Sequence, residues 1–79
     1  MKMSIEYVNT LLGALPDQAH FTIVQKTGRG DEYIARGMPG RDRRITNIST
    51  GREEFLPLMD IHRQLDYVSI LPVKVDIIS

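Results

Sequence analysis

Tyr67-Val68-Ser69-Ile70-Leu71-Pro72-Val73-Lys74-Val75-Asp76-Ile77-Ile78 is the most apolar and most β-branched run in the chain. Val73, Val75 and Ile77 alternate with Lys74 and Asp76, a period of two that sets three branched side chains on one face of a strand. Pro72 has no N–H to give to a ladder, so it marks a bulge or an edge between Tyr67–Leu71 and Val73–Ile78. The rest of the chain reads as cover for this terminal strand.

Working back from it, Leu58, Ile61 and Leu65 repeat at three and four residues and predict a helix from about Pro57, ending at Asp66. Pro57 suits a first helical position, and Thr50-Gly51-Arg52-Glu53 has the form of a capping box just upstream. Leu56, Leu58, Met59 and Ile61 together exceed what one helix face buries. Either all of them are core, or some form an exposed patch for a partner or a second copy.

Before that helix, Arg43–Ile48 predicts a third strand, preceded by a loop with breakers at Gly37, Pro39 and Gly40 that could serve as a mobile binding element. His20–Lys26 and Glu32–Arg36 predict a hairpin around Thr27-Gly28-Arg29-Gly30-Asp31. Ile5, Val8, Leu12 and Leu15 give residues 5–15 an amphipathic helical face, with Ser4 as N-cap and Pro16 as the stop.

The order is therefore α-β-β-β-α-β: a single α+β domain over residues 1–79, with a mostly antiparallel sheet and the helices packed on one face. The first five elements are similar in order to those of the double-stranded-RNA-binding domain. Glu53 and Glu54, however, stand where that domain has a basic start to its second helix.

A chain of 79 residues buries only about 60% of the surface it exposes when unfolded, and without cysteine it has no disulfide to add stability. An exposed edge on the terminal strand would favour a homodimer that extends the sheet. The opening residues lack the apolar core of a signal peptide, and no run approaches the ~18 apolar residues of a membrane span. Absence of cysteine agrees with a cytoplasmic setting.

Ten basic and ten acidic residues cancel, but they are unevenly placed. Residues 26–52 carry seven basic residues (Lys26, Arg29, Arg36, Arg41, Arg43, Arg44 and Arg52) against Asp31, Glu32 and Asp42. Guanidinium forks pair with carboxylates and phosphates, which makes Arg29, Arg36, Arg41, Arg43 and Arg44 the candidate partner-binding set. Tyr33 is the lone aromatic among them, so an acidic protein surface fits better than stacked nucleic acid.

No catalytic constellation emerges. Asp60 and His62 lie two apart, which on a helix points them in different directions, and His20 begins a strand. Neither glycine-rich loop completes a phosphate-binding pattern, and two separated histidines without cysteine do not make a metal site. Arg29-Gly30-Asp31 matches an integrin-ligand tripeptide and Asn47-Ile48-Ser49 a glycosylation acceptor, but both need an extracellular setting. No cofactor is implied. The expectation is a non-enzymatic regulator or inhibitor, of the kind phages and plasmids use as accessory factors, docking an arginine face and an apolar patch on a larger acidic protein. The alternatives are nucleic-acid binding through the same face and a structural homodimer or assembly subunit.

Overall fold

The computed structural model describes residues 1–78, and it divides the terminal stretch into two strands. Leu65–Ile70 turns back through Leu71 and Pro72 to pair antiparallel with Val73–Ile78, Ile70 lying opposite Val73. Pro72 therefore occupies a two-residue turn, where its missing N–H costs no ladder bond. The Leu71–Pro72 peptide is cis.

Seven strands result: β1 (Lys2–Ser4), β2 (His20–Gln25), β3 (Gly30–Arg36), β4 (Arg44–Asn47), β5 (Glu53–Phe55), β6 (Leu65–Ile70) and β7 (Val73–Ile78). The single α-helix among the described residues, α1 (Ile5–Gly13), follows β1 directly. The strands form one sheet in the order β1-β7-β6-β2-β3-β4-β5, antiparallel throughout except for β1, which runs parallel to β7. Because β1 covers β7, the terminal strand is not the exposed edge that argued for a sheet-extending dimer.

The expected two-helix α+β order is thus corrected to a seven-stranded mixed sheet with one helix. The predicted hairpin and third strand lie within a residue or two of β2, β3 and β4. The predicted second helix is absent. Glu53–Phe55 pairs as β5, and Thr50-Gly51 makes the β4–β5 turn, with Gly51 at φ 73° donating its N–H to the Asn47 carbonyl. Beyond the cis Leu56–Pro57 bond, Asn9 of α1 takes hold of Leu58 from both sides. Its Oδ1 accepts from the Leu58 N–H at 2.6 Å and its Nδ2 donates to the Leu58 carbonyl at 3.1 Å. These bonds satisfy the Leu58 N–H and C=O outside a helix. Only a short 3-10 turn, Ile61–Arg63, remains, with His62 and Arg63 at positive φ. The likeness to the double-stranded-RNA-binding domain ends with the loss of that helix.

Ser4 caps α1 by accepting the Tyr7 N–H, and Val8 and Leu12 project from the helix into the core. They meet Phe21, Ile23, Tyr33, Ala35, Ile45, Val68, Val75 and Ile77 from the sheet, and Leu56 from the segment after β5. Phe21 and Tyr33 stack with centroids 5.6 Å apart. The Cα extents are nearly equal, 28 × 25 × 24 Å. The inner face of the sheet is packed, and its outer face carries alternating side chains with no helix over them.

Register also defines two ends of the sheet. Turns 26–29 and 48–52 lie at one end, and loop 37–43 and the Leu71–Pro72 turn at the other. No helix among the described residues is long and apolar enough to cross a membrane.

Candidate functional site

The five candidate arginines do not form one face. Arg29 precedes β3 and Arg36 closes it, so about 20 Å of strand separates them. Arg29 pairs with Asp31 at 3.5 Å. The positive excess of residues 26–52 is thereby divided between the two ends of the sheet, because consecutive antiparallel strands return the chain to each end in turn.

Arg43 is not on the surface. Strand alternation turns it inward with Ile45, and it is 5% exposed. Its Nη1 reaches the carbonyls of Leu12, Gly13 and Leu15 at the end of α1, and its Nη2 donates to the Gly37 carbonyl at 2.7 Å. A cation there meets the negative end of the helix dipole and carbonyls that lack intrahelical donors. Arg43 is therefore a structural clasp, and its expected role in partner contact is corrected. The loop it holds is strapped at two more points: Gly37 N–H donates to Asp17 Oδ1 at 2.8 Å, and Gly40 N–H to the Gly13 carbonyl at 2.9 Å. Loop 37–43 is hydrogen-bonded into the fold at these points, which speaks against the alternative of a mobile binding element.

What remains exposed at the long-loop end is Arg36, Arg41 and Arg44. Arg36 and Arg44 stand directly opposite each other across β3 and β4, and Phe55 stands opposite Arg44 on β5. Like charges so placed repel. Arg44 Nη1 is 3.0 Å from Glu53 Oε1, and Arg36 Nε donates to Thr46 Oγ1 at 3.3 Å. One carboxylate thus serves a pair of guanidinium groups beside an aromatic ring that is 61% exposed. Arg41 lies on the adjoining loop, at the rim of a groove of about 590 Å³ between α1 and residues 39–42. Glu6 and Asp42 share that rim, so its charge is mixed, while Gly13, Ala14, Pro39 and Gly40 give it a floor of small residues.

A second recess, of about 320 Å³, opens on the inner face toward the other end of the sheet. Ile23, Leu58, Met59 and Leu65 line it, together with Asp31, Tyr33 and Glu54. The Tyr33 hydroxyl donates to Glu54 Oε2 at 3.3 Å. Burial, reinforced by the Glu54 charge and more weakly by Asp31, raises the phenol above its ordinary pKa and keeps it a donor. This grouping escaped the sequence reading because Tyr33 and Glu54 are 21 residues apart and meet only through β4, which lies between their strands.

The histidines stay apart from this chemistry. His20 is 3.5 Å from Glu32 on the outer face, and His62 belongs to the 3-10 turn. Among the described residues no three His, Cys, Asp or Glu side chains converge as a metal site. Of the surplus apolar residues, Leu56 is core and Leu58 half-buried, whereas Met59 and Ile61 are exposed. Compared with known protein families, curated proteins and solved structures, the chain finds no match, so its function is argued from this geometry alone.

Proposed function

We propose that the protein is a non-enzymatic binding module that docks an acidic segment of a larger protein on the Arg36–Arg44 pair. The observation that carries the reading is the opposition of two exposed guanidinium groups across β3 and β4. Folding gains nothing from that repulsion, whereas an incoming carboxylate would relieve it and accept forked hydrogen bonds. Phe55 beside the pair offers an apolar contact of the kind that anchors interfaces, and Arg41 extends positive charge along the same end. A regulator or inhibitor needs no more than such a surface on a rigid support.

The test titrates the protein with an acidic peptide containing one aromatic residue and, separately, with a single-stranded oligonucleotide of equal charge. Wild-type protein should bind the peptide, and Arg36→Glu with Arg44→Glu should abolish binding while leaving the fold intact. Peptide affinity unchanged in the double variant would overturn the proposal. So would binding only to the oligonucleotide with a steep salt dependence, which would place the protein among phosphate binders.

A further inference from the structure

We infer that the inner-face recess is a binding site for an ammonium or guanidinium group carried on a short alkyl stem. The arginine pair faces the other side of the sheet, and the recess shares Phe55 with the proposed docking surface. The recess volume of about 320 Å³ is at the small end of the range of ligand sites. The walls divide by chemistry. Ile23, Leu58, Met59 and Leu65 supply apolar surface, and Asp31 and Glu54 bring two carboxylates to the same recess from β3 and β5.

Both carboxylates are partly buried. The Asp31 side chain is only 18% exposed, and the hydrogen bond that Glu54 accepts from Tyr33 comes from a neutral phenol, itself almost wholly buried. Partly desolvated negative charge beside apolar walls favours a ligand that restores charge at one end and buries hydrocarbon at the other. Burial is the main cause of the raised pKa of Tyr33, and the charges of Glu54 and, more weakly, Asp31 add to it. A bare metal ion does not fit, because among the described residues no three His, Cys, Asp or Glu side chains converge here.

Arg29 defines how the site is shared. Its guanidinium reaches Asp31 from solvent at 3.5 Å and is itself mostly exposed, so it competes with an incoming cation for one of the two carboxylates. Replacing it with a neutral residue should therefore strengthen binding, a result that general loss of structure cannot mimic.

The experiment follows amide and methyl NMR shifts during titration with n-butylammonium, with Nα-acetyl-lysine methylamide, and with n-butanol as uncharged isostere. Saturable shifts at Asp31, Tyr33 and Leu65 with either cation, and none with the alcohol, are expected. Saturation by the amine alone identifies a free small molecule as the source of the cation; saturation by the capped lysine alone identifies a peptide side chain. Asp31→Asn and Glu54→Gln should each weaken binding by about tenfold, and Arg29→Gln should tighten it severalfold. Gln at position 54 retains an acceptor for Tyr33, and the Asp31→Asn variant leaves that bond untouched. The inference is overturned if neither cation saturates, if n-butanol matches them, or if the carboxamide variants bind as well as wild type.

Discussion

Arg43 and Arg44 are neighbours in sequence and opposites in the structure. One guanidinium is enclosed by backbone carbonyls at the end of α1, and the other stands in solvent beside Glu53 and across from Arg36. The period of two in a strand is the whole cause: side chains one residue apart leave on opposite faces. Identical chemistry thus becomes scaffold on the inside and contact surface on the outside.

Neighbouring substitutions sharpen this contrast. Arg43→Leu removes a donor from four carbonyls, of which Leu12 and Gly13 keep the Leu15 and Gly40 N–H groups, and should cost about 3 kcal/mol, lowering Tm by on the order of 10 °C or more. Arg44→Leu should change stability by only about 0.5 kcal/mol. Chemical denaturation of the two variants side by side measures the difference, and equal losses would break the distinction.

Gly13→Ala probes the inner side at a second point. Alanine is the better helix former, but a Cβ there would lie 2.5 Å from the Gly40 carbonyl oxygen, a backbone atom of the strapped loop. The clash should outweigh the gain and leave the variant about 1–2 kcal/mol less stable. A variant as stable as wild type would show that the loop is free to move off the helix.

On the outer side, Arg36→Glu replaces a repulsive cross-strand pair with an attractive one. Stability should rise by about 0.2–1 kcal/mol while affinity for an acidic peptide falls, so folding and binding move in opposite directions. Parallel denaturation and titration would expose any other behaviour.

The effect of Tyr33 is the smallest at neutral pH. Its folded pKa is raised above 10.0, so the protonated phenol favours the folded state. That contribution is fully present below pH 10, and it should be lost as pH climbs through the higher folded value. Phenolate absorbance should show a late-titrating step, and Tyr33→Phe should remove it.

The same contrast explains what could be read from the sequence. Alternation in Val73–Ile77 and the β-branched content of His20–Gln25 are local, and local signals placed most strands and α1. β1 and β5, three residues each, are too short to show a period. The false helix at 57–66 had a genuine three-and-four repeat, overruled by Asn9, 49 residues distant from Leu58. The charged run told how many guanidinium groups lie between 26 and 52 but not where each points. That depended on the inward turn of β4, on the return of β3 to the far end of the sheet, and on Asp31 and Glu53 as partners.

The attachment of Leu58 to a single asparagine amide has a kinetic consequence. The segment over the inner recess is tethered to the helix there, while the sheet beneath is laced by continuous ladders. It should therefore open as a subglobal unit. In hydrogen–deuterium exchange the Leu58 amide is expected to lose protection well before those of Val68 and Val75, and an occupant of the recess should slow that exchange selectively.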